Sequence, residues 1–208
     1  MTTTLFILHG YHSEKLDRTA TGPEFEHVSK VFSDAGFLVK PFDKPWRDNT
    51  VSDMADLFCE FYENNKGNHN IVLGNSLGGM VAFVTAPLIK PQQLVLASLS
   101  ACFKENLETY DEDFLANRVA KFGDFQVANF KQLSAYALAR EINDLGIPTT
   151  LCYGEKERDL YPYLVTHVES VAKQMPGSEL KVLPSAEHSL RGTKYLEGIV
   201  GLVKSLKH

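Results

Sequence analysis

An α/β architecture, a mostly parallel six-stranded sheet with helices on both faces, is predicted by three features of the 208-residue chain. Short apolar runs rich in β-branched residues recur along it, as strands buried on both faces require. Patterns of helical period lie between them, and alternating strands and helices mean parallel strands joined by crossovers. In the middle, Asn70-Ile71-Val72-Leu73-Gly74-Asn75-Ser76-Leu77-Gly78-Gly79 passes from an apolar run through a glycine, a serine and two more glycines into a new apolar segment, which reads as strand, tight turn and helix.

Taken in order, Leu5 to Leu8 is the first strand and ends at His9-Gly10. Pro23 suits the first turn of a helix burying Phe25, Val28, Phe32 and Ala35, and Gly36 is placed to stop it. Phe37 to Phe42 is the second strand. Ser52 is the expected cap of a helix with Asp53 and Asp56 near its positive end and a stripe of Met54, Leu57, Phe58, Phe61 and Tyr62. The central strand and its serine turn lead into a buried helix from Met80, closed by Pro87 and Pro91; Gln93 to Leu99 is the next strand. Thr149 to Tyr153 follows, then a helix burying Leu164, Val168, Val171, Ala172 and Met175 and stopped by Pro176-Gly177. Leu180 to Leu183 is the last strand, and Tyr195, Ile199, Val203 and Leu206 mark a closing helix.

The stretch from Ala101 to Gly146 is too long for one crossover. Phe130 to Leu145 is the expected crossover helix, and the polar, aromatic-bearing piece from Phe103 to Phe125 is extra. With no repeat, low-complexity tract or flexible linker, residues 1–208 are expected to form one domain with a small lid-like insertion at about 101–129.

Composition narrows the partners. A net charge of -5, from 21 basic and 26 acidic residues without a basic cluster, disfavours nucleic acid and anionic membranes. Cys59, Cys102 and Cys152 are odd in number and far apart, and read as small buried hydrophobes in a reducing compartment, with a disulfide between two of them as the alternative. The amino terminus has no basic start and too short an apolar run for a signal peptide, so a cytoplasmic location is expected.

Gly74-Asn75-Ser76-Leu77-Gly78 fits G-x-S-x-G, in which a serine is pushed out at the top of a sheet on a strained turn. A phosphate-cradling loop fits less well: G-x-x-x-x-G-K-[ST] is absent, and G-x-G-x-x-G needs glycine where Ser76 stands. Ligands of an open parallel sheet bind at the carboxyl ends of its strands. There the chain places His9-Gly10-Tyr11-His12, Ser76-Leu77, Gly154-Glu155-Lys156-Glu157-Arg158-Asp159 and Ser185-Ala186-Glu187-His188. Serine, acid and histidine follow in that chain order. His9 and His12 lack a third ligand of suitable spacing for a metal and read as packed or loop histidines; His27, His69, His167 and His208 read as surface or helix-face residues. Tyr11, Trp46, Phe103, Tyr110 and Phe114 read as core or lid packing, with some available to line an acyl pocket.

With these four ordered motifs, the His-Gly pair, the serine turn, the Gly-x-x-acid turn and the late Ala-Glu-His, the chain resembles small α/β-hydrolase-fold serine hydrolases over essentially its whole length. It starts at what would be the family's third strand, so the antiparallel amino-terminal strands are expected to be missing, as in minimal members. The resemblance implies Ser76 as nucleophile, His188 as base and a carboxylate orienting it. It further implies an oxyanion hole made by the backbone N–H groups of Tyr11 and Leu77, each such donor typically contributing ~10²–10³ in turnover. The acid is favoured at Glu157, three residues after Gly154, with Asp159 the alternative if the turn is longer. The implied activity is cleavage of a small to medium carboxylic ester or thioester, without a cofactor, through an acyl-enzyme; amide cleavage uses the same residues. The rival from another class is a non-catalytic ligand- or partner-binding protein that keeps the fold, and a third is a lyase or cofactor-free oxidoreductase.

Overall fold

Six parallel strands in the order β2-β1-β3-β4-β5-β6 form the sheet of this computed structural model, which describes residues 2–12 and 14–206. His208, expected on the surface, lies outside the described residues. The strands are β1 (Thr3–Leu8), β2 (Leu38–Pro41), β3 (His69–Asn75), β4 (Gln93–Ala97), β5 (Thr149–Gly154) and β6 (Glu179–Leu183). Alternation along the central strands divides the core in two. Phe6, Leu8, Val72, Leu94, Leu96, Leu151 and Tyr153 point to one face, which is covered by α2 (Val51–Asn65), α3 (Leu77–Ile89), α7 (Ala135–Asp144) and α9 (Pro162–Lys173). Leu5, Ile7, Ile71, Leu73, Val95, Ala97 and Cys152 point to the other, beneath α1 (Glu26–Asp34) and α10 (Thr193–Ser205). The edge strand β6 is exposed at all but its last residue.

The chain runs outward from β1 to β2, returns to β3 beside β1 and then runs the other way. The carboxyl ends of β1 and β3 therefore flank the crevice in which sheets of this kind bind ligands.

Several boundaries differ from the sequence expectation. Thr50, not Ser52, caps α2: its side chain accepts from the Asp53 N–H at 3.2 Å and the Asp53 carboxylate accepts from the Thr50 N–H at 2.8 Å. The reciprocal pair needs an acid three residues after the cap, which Thr50 has and Ser52 lacks. Pro87 lies inside α3 rather than ending it, and the helix stops at Lys90, whose φ of 45° is left-handed. So close to the helix end, proline forfeits one bond, and packing against α2 and α7 retains the last turn. The crossover helix is α7, beginning after Ser134, whose hydroxyl accepts from the Ala137 N–H at 3.1 Å. Phe130 instead closes α6 (Asp124–Phe130), which follows α4 (Lys104–Leu107) and α5 (Glu112–Phe122) in the extra segment. Two buried amides anchor that segment to α2: Gln126 Oε1 accepts from the Val51 N–H at 3.1 Å, and Asn129 Oδ1 from the Ser52 N–H at 3.3 Å.

All three cysteines are free thiols, with Cys102 and Cys152 buried and Cys59 half-buried. His167, expected on the surface or a helix face, faces inward from α9, 3% exposed and stacked on Phe103 at 5.4 Å between centroids. Burial pushes its imidazole down to about 4, against a smaller opposing pull from Glu105. Between that value and the ordinary 6.5, the unfolded chain binds a proton that the folded chain refuses. Stability from this group is therefore complete above pH 6.5 and falls on acidification towards 4, by on the order of 3 kcal/mol. Urea unfolding of the native chain and His167→Phe at several pH values within that window is expected to show a shallower acid loss in the variant.

Candidate active site

Ser76 stands between β3 and α3 with φ 54° and ψ -120°, a conformation that L-residues adopt only under strain. The two glycines of the motif make the turn sterically feasible. A Cβ on Gly74 would lie 2.6 Å from the Gly78 carbonyl oxygen, and one on Gly78 would lie 2.5 Å from the carbonyl oxygens of both Leu8 and His9. Glycine therefore lets α3 start against β3 and against the end of β1 at once. Ser76 then faces the crevice, where two cavities of about 120 and 180 Å³ meet at Ser76, Tyr11 and His188.

Behind His188 is a buried hydrogen-bonded chain. The loops after β5 and β6 are joined by backbone bonds from the Glu155 N–H to Leu183 O at 2.9 Å and from the Lys156 N–H to Ala186 O at 3.0 Å. This sets α8 (Glu157–Leu160) against His188. Glu157 is fully buried, and its Oε2 lies 3.0 Å from His188 Nδ1. Its other oxygen accepts from the Gly154 N–H at 3.0 Å and the Ser98 hydroxyl at 2.5 Å. Ser98 has one proton and gives it to Glu157, so the Tyr195 hydroxyl bonded to Ser98 is the donor of that pair. Burial, with Cys152 and Glu157 nearby, holds the Tyr195 phenol well above its usual value, so it keeps its proton. Asp159 is exposed.

Leu77 opens α3, and its N–H is one of the first-turn donors that have no partner within the helix. Tyr11 follows the Gly10 carbonyl, which receives Arg18 Nη2 at 2.9 Å and has His9 Nδ1 at 2.9 Å. In a trans peptide C=O and N–H point opposite ways, so fixing Gly10 O also fixes the direction of the Tyr11 N–H. The His9 ring is buried, with Nε2 3.2 Å from Lys44 O, and burial pushes its imidazole below the usual range. Tyr11 also reaches across the cavity, its hydroxyl donating to Lys121 O at 3.2 Å.

Ser76, Tyr11, Leu77 and His188 thus share one cavity, with Glu157 directly behind His188. Three residues of this arrangement were missed in the sequence. Ser98 directly follows β4, which ends at Ala97 and not at the expected Leu99, so its signal is the same strand-end position that marks Ser76. Tyr195 stands out in the sequence only as one of the positions that mark the closing helix, and Arg18, in the long loop after β1, carries no local signal. Of the five aromatic residues considered for the pocket, Tyr11 lines it, joined by Phe122, Tyr161 and Tyr163. Trp46 packs on His9 and Tyr11, and Tyr110 and Phe114 pack on each other at 4.2 Å. Among the described residues no group of three or more His, Cys, Asp or Glu side chains is arranged to hold a metal ion, and no helix is long and apolar enough to cross a membrane.

The backbone is similar to several solved esterases and hydrolases. Est1E from Butyrivibrio proteoclasticus superposes with a TM-score of 0.70 at 16% identity, covering 98% of this chain and 86% of that one. Alpha/beta hydrolase domain-containing protein 10 from mouse gives 0.69 at 12% identity, covering 98% and 88%. The esterase EaEST from Exiguobacterium antarcticum gives 0.66 at 15%, covering 100% and 92%. No family model matches the chain, and no curated protein matches it in sequence. The chain has the α/β-hydrolase fold.

Proposed function

We propose that this α/β-hydrolase-fold chain is a serine hydrolase that cleaves a carboxylic ester or thioester through an acyl-enzyme on Ser76. The observation that carries the reading is the buried Glu157 bonded to His188, with His188 and the strained Ser76 lining one cavity. A carboxylate fully removed from water is costly unless its partners repay it; here Oε1 accepts from two donors, and Oε2, 3.0 Å from His188 Nδ1, is left to accept from that ring nitrogen. That arrangement holds the Nδ1–H tautomer of His188 and leaves Nε2 free to take a proton.

In this mechanism Ser76 Oγ attacks the acyl carbon as its proton passes to His188 Nε2. The developing oxyanion is met by the N–H groups of Leu77 and Tyr11. The C–O or C–S bond then breaks, and His188 returns the proton to the leaving group. Water repeats the sequence, releasing the acid and restoring Ser76. All groups needed come from the chain itself, so no cofactor enters these steps.

Intact-mass measurement after treatment with a fluorophosphonate probe tests the reading. One adduct on the native chain, absent from Ser76→Ala and strongly slowed in His188→Ala, is the expected result. A folded native chain that takes no adduct and turns over no 4-nitrophenyl ester, from acetate to octanoate, would overturn it in favour of a binding protein on the same fold.

A further inference from the structure

Resting on the hydrolase reading above, we propose that the preferred ester carries a carboxylate on its acyl chain, held by Arg118 and Lys121. Both residues belong to α5 and line the smaller cavity above Ser76, Lys121 with its Nζ 5.1 Å from the centre of the Phe122 ring, and no aspartate or glutamate lines that cavity. Three residues apart on one helix, they share a face. The Arg118 guanidinium sits among three rings, 4.5 Å from the centre of Phe114, 5.1 Å from Tyr163 and 5.8 Å from Tyr110. Among the described residues no carboxylate oxygen lies within 4.0 Å of either cation.

The other cations around the site each have a carboxylate within reach. Lys15, Arg18 and Arg191 share the single carboxylate of Glu24, the two arginines at 3.5 and 2.9 Å, and Lys156 has Glu187 at 3.0 Å. In a chain with five more acidic than basic residues, two neighbouring cations without a carboxylate are a local departure. They repel each other, and burial together with Arg118 pushes the Lys121 amine below its usual value. One monoanion in the cavity relieves both. Arg118 does not give up its proton, its planar fork matches a carboxylate two bonds at a time, and the surrounding rings hold that plane in place. A neutral acyl chain of the same length leaves the half-buried Arg118 without a carboxylate and Lys121 to solvent.

The larger cavity separates the two ends of the ester. Ser189, Leu190 and Arg191, which follow His188, line only that one. His188 borders both cavities and can protonate a leaving group in either; with the carboxylate on Arg118 and Lys121, the acyl chain lies under α5, where the two cations stand, and the leaving group in the larger cavity. The carboxylate takes no part in bond breaking: water and the hemiester give the alcohol and a dicarboxylic acid.

The test is kcat/KM for 4-nitrophenyl hydrogen adipate against 4-nitrophenyl hexanoate, equal in chain length and each corrected for hydrolysis without protein. The native chain is expected to favour the hemiester by about 10- to 100-fold, less so as salt rises. Arg118→Gln and Lys121→Gln are each expected to cut that ratio by about tenfold, and Arg118→Lys to retain part of it. Should Arg118→Gln fail to fold, the other two variants read the same ratio. A native chain that reacts with the fluorophosphonate but shows no hemiester preference, or a preference that survives in the variants, overturns this inference and leaves the hydrolase reading standing. A native chain that neither reacts with the probe nor hydrolyses either ester removes both.

Discussion

Ser76→Ala is expected to lower kcat for a 4-nitrophenyl ester by about 10⁵- to 10⁶-fold, the scale on which removing the nucleophile of such a set operates. The residue left over is whatever the Leu77 and Tyr11 N–H groups and substrate binding achieve alone. The same position carries an opposite expectation for stability. At φ 54° and ψ -120° a side chain strains the backbone whether it ends in oxygen or hydrogen, so alanine keeps the strain and glycine releases it. Urea unfolding is expected to place Ser76→Gly about 1 kcal/mol above Ser76→Ala, the relief being partly offset by the greater freedom of unfolded glycine. Equal stability of the two variants would mean that the turn is not strained and that Ser76 is an ordinary loop serine.

Glu157→Gln is expected to cost about 10³- to 10⁴-fold in kcat while leaving KM nearly unchanged. The amide keeps the size of the side chain and one acceptor oxygen, so the Ser98 and Gly154 bonds can persist. Toward His188 it presents either a donor, which forces the wrong tautomer, or an uncharged acceptor, which no longer stabilises the imidazolium. Asp159→Asn, on the exposed turn two residues on, is expected to change kcat by less than about twofold. Reversed results would transfer the acid's role to Asp159. Measuring both variants on one ester therefore decides between the carboxylates that the Gly154 turn offers.

The elements most legible in the sequence were those specified by local chemistry. Apolar runs separated by helical stripes required a layered parallel sheet, because strands buried on both faces cannot alternate with polar residues; the exposed edge strand β6, Glu179-Leu180-Lys181-Val182-Leu183, is the one that does alternate. The serine between Gly74 and Gly78 was equally plain, since a close approach of helix and strand excludes any Cβ. Boundaries were less so. Pro87 stays helical because neighbouring helices pack around it, and Ser52 is passed over because the acid lies three residues after Thr50 instead.

What only the tertiary structure decided are relations between residues distant in the chain. Glu157 and His188, 31 positions apart, meet because parallel strands bring their carboxyl ends to one edge, and Tyr195, 97 positions from Ser98, reaches it from the first turn of α10. The loop after β5 offered three carboxylates of similar local character, and burial beside His188 distinguishes Glu157 from the other two. Arg118 and Lys121 look like any solvated helical charges until α5 is laid over Ser76. Periodicity and steric rules act over a few residues and so determined strands, helices and the serine turn; desolvation and charge pairing depend on what the whole chain brings near, and those only the fold could set.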